Sequence, residues 1–274
     1  MTLLWWILLP LIGSLGGFLA GMLGVGGGVI FIPILQHLFG LYHISGPELV
    51  RFTLANSILL VALSGLAGSR RQYLQGNFFP GAVLATGLAG MCSAWGLSWF
   101  INHSNWYQRE DFLLVFLFFL LLSVWNMLFG KKEGAVGTIN LEPKAGWTSV
   151  AVGLVAGCVM ALSGLGGGVI MVPLFRMWLR YDLKKATSVS LGCIPIIALP
   201  TIIQYMSASA PCIPGLPQFN YLVWTFSLPM AAGVLVFSPL GVRAAKKLPA
   251  AALRSIFAVL NSVIIIKTLW ELYG

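Results

Sequence analysis

The sequence predicts an all-α, polytopic integral membrane protein made of two inverted repeats, each a re-entrant helical hairpin at a Gly-Gly-Gly tip plus three transmembrane helices. The prediction rests on composition, on one repeated glycine block and on where the cationic residues fall. Of 274 residues, 58% are hydrophobic and only 8% are charged, and the mean hydropathy is +0.92. A soluble domain carries roughly 25% charged residues, and a surface this poor in charge would expose aggregating apolar patches to water. Lipid is therefore the solvent.

Apolar runs long enough to cross a bilayer core, about 20 residues, cover 3–23, 50–69, 78–101, 111–130, 147–163, 186–206, 220–242 and 252–272. Shorter apolar runs at 28–41 and 168–179 follow the first and fifth. The opening MTLLWWILLPLIGSLGGFLAGMLG lacks a basic leader and a small-residue cleavage site, so it reads as the first membrane segment and not as a signal peptide. The polar stretch KKEGAVGTINLEPKAG reads as a cytoplasmic linker at 131–146, between a first repeat at 1–130 and a second at 147–274.

The repeat is visible residue by residue. GVGGGVIFIPIL at 24–35 matches GLGGGVIMVPLF at 164–175 with an offset of 140, and the same offset places Gly13 and Gly17 on Gly153 and Gly157. Further along, Thr53 and Ala55 fall on Ser188 and Ser190, while Gly96, Arg109 and Phe112 fall on Gly241, Arg254 and Phe257. Internal repeats of this kind, often with inverted topology, build many secondary transporters.

Charge tests the topology. If eight runs span and the short runs do not, ten Lys/Arg lie on one side and six on the other. If each glycine block is instead the tip of a re-entrant hairpin, thirteen lie on one face, and only Arg51, Arg109 and Lys267 lie opposite. Cytoplasmic loops collect Lys and Arg, so the second arrangement is expected. It puts both termini outside, with the protein in a bacterial inner membrane.

Three consecutive glycines break a helix, and broken backbone at membrane depth persists only when buried in protein or lining a cavity. The runs beginning at Val29 and Val169 then start new helices inside the membrane, where unpaired N–H groups and the positive dipole end attract anions. The candidate substrate-binding residues are therefore Gly26, Gly27, Gly28 and Val29 in the first half, with Gly166, Gly167, Gly168 and Val169 in the second. Hydroxyls and amides at Thr53, Asn56 and Ser57, and at Thr187, Ser188 and Ser190, add hydrogen-bond donors without charge. Gln204 and Asn261 read as packing residues, and Arg51, at the outer start of its helix, reads as an interfacial anchor ahead of the alternative that it guides anions.

The residues exclude several classes. All seven acids lie at or near the ends of apolar runs; coupling to protons or sodium usually needs a carboxylate at depth, and a cationic substrate would find nothing to neutralise it. His37, His43 and His103 lack metal-ligand spacing, and Cys92, Cys158, Cys193 and Cys212 contain no CxxC pair. No catalytic constellation can be placed at one membrane depth, so no enzyme, metal or cofactor is implied. The net charge of +9 lies in short clusters between apolar runs and not in a basic patch of the kind that binds nucleic acid. The partners expected are a small anion and the lipid bilayer.

The paired segments GMLGVGGGVIFIPIL and ALSGLGGGVIMVPLF, with KKATSVSLG opening the next helix of the second half, resemble the TauE/SafE family of sulfite and organosulfonate exporters. That resemblance implies export of sulfite, sulfoacetate or a related sulfur oxyanion. The first half departs from the family pattern in RFTLANS, with its bulky Arg51–Phe52 pair. The alternatives are uptake of a related oxyanion such as thiosulfate, or a membrane assembly or scaffold protein whose glycines serve packing alone.

Overall fold

The computed structural model describes residues 3–104, 107–129, 146–248 and 250–273, so all but the last residue of the expected linker at 131–146 lies outside the described residues. The first half contains α1 (Leu3–Leu23), α2 (Gly28–Leu41), α3 (Gly46–Leu74), α4 (Pro80–His103) and α5 (Arg109–Phe129). The second contains α6 (Trp147–Ser163), α7 (Gly168–Met177), α8 (Leu183–Ser207), a short ribbon of β1 (Gln218–Phe219) and β2 (Leu222–Val223), then α9 (Trp224–Lys247) and α10 (Ala250–Tyr273). Of the described helices, α1, α3, α4, α8 and α9 are long and apolar enough to cross a membrane.

Local chemistry sets the boundaries. Pro47 and Pro80 occupy first-turn positions of α3 and α4, where a missing N–H costs nothing. At the far end of α3, Gly76 takes a positive φ and the chain turns back. The apolar run expected from residue 220 begins as ribbon instead. Tyr221 and Leu222 form its turn and second strand, Asn220 adopts a φ of 51°, and α9 starts only at Trp224. Pro211, Pro214 and Pro217 precede the ribbon and deny this stretch the N–H groups that a helix would use.

The halves interlock. The first helix of each half packs on the fourth helix of the other. Gly17 lies against the Val234 backbone and Gly21 against Ser238, while Gly153 lies against Thr86 and Gly157 against Gly90. Residue numbers rise together along both contacts, so α1 runs parallel to α9, and α6 to α4. The equivalent helices α3 and α8 run antiparallel. The end of α3 meets the start of α8 where Asn77 donates to the Lys184 carbonyl and Ser188 donates to the Asn77 carbonyl. At the other end, Tyr221 packs edge-on against both Phe52 of α3 and Tyr205 of α8.

Large apolar side chains such as Trp6, Leu15, Trp95, Phe118, Ile203 and Leu228 face outward, as lipid-facing positions do. Arg70, Arg71, Lys184, Lys185, Lys246 and Lys247 gather where α3 and α9 end and α8 begins. Arg51 and Arg109 lie at the opposite end, at the starts of α3 and α5.

Candidate functional site

Each glycine block breaks its hairpin in the same way. Gly24, Gly26 and Gly27 have φ values of 73°, 96° and 79°, and Gly164, Gly166 and Gly167 have 66°, 91° and 67°. Only glycine adopts that region without strain. Gly27 caps α2 and Gly167 caps α7. The first bonds of each helix return to these caps: Ile30 N–H reaches Gly27 O at 3.0 Å, and Ile170 N–H reaches Gly167 O at 3.1 Å. The N–H groups of Gly28, Val29, Gly168 and Val169 therefore precede the helices' own bonding ladders.

The two tips meet. A Cβ on Gly26 would lie 3.5 Å from the Gly166 Cα, and one on Gly28 would lie 2.6 Å from the Gly164 carbonyl oxygen. Gly168 makes the reciprocal approach to the Gly24 carbonyl. The meeting point lies halfway along α3. Ser57 donates to Gly164 O at 3.1 Å, Ser64 donates to Gly26 O at 3.0 Å, and Val61 stands between them against both tips. From the other side, Ser190 of α8 donates to Gly24 O at 2.7 Å. Each half thus clamps the other's tip with a serine. Sequence aligns Ser190 with Ala55, but Ser57, two residues further on, performs the matching contact.

The remaining predicted side chains divide sharply. Asn56 is saturated: its amide nitrogen donates to Phe52 O at 2.7 Å and Tyr221 O at 2.9 Å, and its oxygen accepts Val223 N–H at 2.9 Å and Ser227 Oγ at 2.5 Å. It ties the ribbon to α3. Thr187 donates to Lys184 O within its own helix, and Ser188 is used by Asn77 at the cationic end. Thr53 is different. It is fully buried, and its hydroxyl has no hydrogen-bond partner. It stands one turn before Ser57 on the same side of α3, above the second tip. Gln204 holds Trp95 O, and Asn261 reaches Ser123. Both are contacts between helices.

Two contacts were not legible in the sequence. Lys267 of α10 donates to the Pro33 carbonyl at 3.1 Å, within α2. Arg51 was expected at the interface, but its side chain is only 11% exposed, paired to Glu48 at 2.7 Å and bonded to Ser104 O at 3.0 Å. A neighbouring carboxylate three residues away turns it inward.

Comparison with known proteins decides the family. The sequence model described as "Sulfite exporter TauE/SafE" matches residues 9–268. The chain belongs to the TauE/SafE family. It is similar to a "Probable membrane transporter protein" of Haemophilus influenzae, 27% identical and covering 95% of this chain and 96% of that one. A protein of the same description from Methanocaldococcus jannaschii is 25% identical, over 90% of each chain. No solved structure matches. TauE/SafE membership makes this chain a membrane transporter and not an enzyme, so the scaffold-protein alternative is set aside.

Proposed function

We propose that this TauE/SafE transporter carries a small sulfur-containing anion, such as sulfite or sulfoacetate, outward across a bacterial inner membrane. The family name supports the sulfur oxyanion. In this reading the halves 1–130 and 147–274 are inverted across the membrane, the linker 131–146 is cytoplasmic and both termini are outside. The antiparallel course of α3 and α8 and the cationic cluster at one end support that orientation.

One observation carries the mechanism: two helix N-termini, from α2 and α7, face each other's tip carbonyls halfway along α3. A helix N-terminus stabilises an anion through free N–H groups and its dipole. In the closed arrangement the carbonyls of Gly164 and Gly24 occupy those positive ends. An oxyanion entering from either side takes their place when the tips part, with the open hydroxyl of Thr53 as a further donor and the residues Gly26–Val29 and Gly166–Val169 lining its path. Rocking of the interlocked halves then exposes the anion to the other side. The membrane potential favours outward movement of negative charge by about 2.3 kcal/mol per charge per 100 mV, so export needs no coupling cation.

The test is flux in proteoliposomes with sulfite, thiosulfate, sulfoacetate, taurine and chloride side by side. Saturable flux of a sulfur oxyanion above chloride is expected. If none exceeds chloride, the substrate assignment fails.

A further inference from the structure

The Arg51 cluster lies at the end of the bundle opposite the cationic cluster, and one of its groups, the Tyr205 hydroxyl, is left without a partner. Arg51 joins the start of α3 to the end of α4 through Ser104, and the next residue, Phe52, packs edge-on to Tyr221 with centroids 5.0 Å apart. Tyr205 packs edge-on to the same Tyr221 ring, with centroids 5.8 Å apart. Tyr205 is fully buried, yet its hydroxyl has no hydrogen-bond partner. Buried polar groups in folded proteins are almost always bonded, and an open one asks for a ligand. Tyr107, also within reach of Tyr205, donates to Leu162 O at 2.9 Å. Leu162 lies in the last turn of α6, so the cluster sits directly over the second glycine tip.

We propose that Arg51 and the Tyr205 hydroxyl form an oxyanion-binding station at this outer end, which takes the exported substrate after it has passed the glycine tips. The inference rests on the anion-transport reading and adds a selective site to it. Glu48 holds Arg51 in the empty state through one carboxylate oxygen, and its other oxygen is buried without a hydrogen-bond partner. An arriving oxyanion displaces that carboxylate from the guanidinium and accepts the phenol hydrogen with a second oxygen. The planar fork of arginine matches two oxygens of one anion, which a lysine ammonium does not. Chloride, a single atom, cannot bridge the fork and the phenol in the same way, so the station selects oxyanions over halides.

The experiment measures initial sulfite and chloride flux against concentration for wild type, Tyr205→Phe and Arg51→Lys in proteoliposomes, with the thermal midpoint of each. Removing an unpartnered hydroxyl leaves the fold intact, so Y205F keeps its midpoint while its half-saturating sulfite concentration rises about tenfold, the worth of one hydrogen bond to a charged group. R51K keeps the pair with Glu48 and shows a similar rise. Neither change alters chloride flux. Wild-type sulfite transport with unchanged half-saturation in Y205F overturns the station and leaves the transport reading standing. A wild type that moves no anion overturns both.

Discussion

Ser190 donates its hydroxyl hydrogen to the carbonyl of Gly24 across 2.7 Å. The bond runs from the third helix of the second half to the hairpin tip of the first, and Ser57 returns it to Gly164. The bonds fix two carbonyls that broken helix ends leave unsatisfied. They also give the closed state a defined geometry from which to open.

Replacing either clamp with alanine strands a buried carbonyl, at a cost of about 1–3 kcal/mol. Ser190→Ala and Ser57→Ala should each lower the denaturation midpoint in detergent. Because both act on one tip–tip contact, the double variant should depart from additivity by about 0.5 kcal/mol or more. Strict additivity would mean that the clamps are independent.

Alanine at Gly27 or Gly167 should abolish folded protein. Both positions have positive φ, and a Cβ would fall 2.7 Å from the Gly16 carbonyl or 2.8 Å from that of Ala156. Such variants cannot separate a packing role from a transport role. Gly96→Ala is the contrast: it lies inside α4 with nothing within 4 Å of the added methyl, so the midpoint should rise by the equivalent of about 0.5–1 kcal/mol. The yield of folded protein in detergent checks the first two variants, and thermal denaturation of purified Gly96→Ala checks the third.

Asn56→Leu should be among the most damaging single changes away from the tips. It leaves the Val223 N–H and the Tyr221 carbonyl without their partner, at about 1–3 kcal/mol for each buried group. Limited proteolysis should then cut the 208–223 segment faster than in wild type, while the cationic end keeps its wild-type cleavage rate.

The expected sidedness can be read with a membrane-impermeant thiol reagent. Cys212 is exposed in the segment between α8 and the ribbon, at the end where α3 begins. In intact cells it should label, whereas a cysteine replacing the exposed Tyr73 near the end of α3 should label only in inverted vesicles. The opposite pattern would reverse the orientation.

Much of the fold was legible because lipid makes the code simple. The expected runs 3–23, 28–41 and 147–163 coincide with α1, α2 and α6, since apolar length and a glycine or polar break define each end. The tips were legible because three glycines at depth leave little else to build. Which helix packs on which was not: Gly13 and Gly17 announce a close approach, but only tertiary structure says that the partner is α9 of the other half. The same limit hid the roles of Asn56 and Arg51. Their residue types suggest donors facing a substrate or an interface, and several of the partners that occupy them are main-chain groups more than 50 residues away.

The most direct measurement is the initial rate of sulfite efflux from proteoliposomes at a series of imposed potentials, with chloride alongside. Passage of a bare anion between the two tips predicts a saturable sulfite flux that exceeds chloride and climbs as the interior is made more negative, with no added cation gradient. A sulfite flux that matches chloride, or that stays flat with potential, would contradict it.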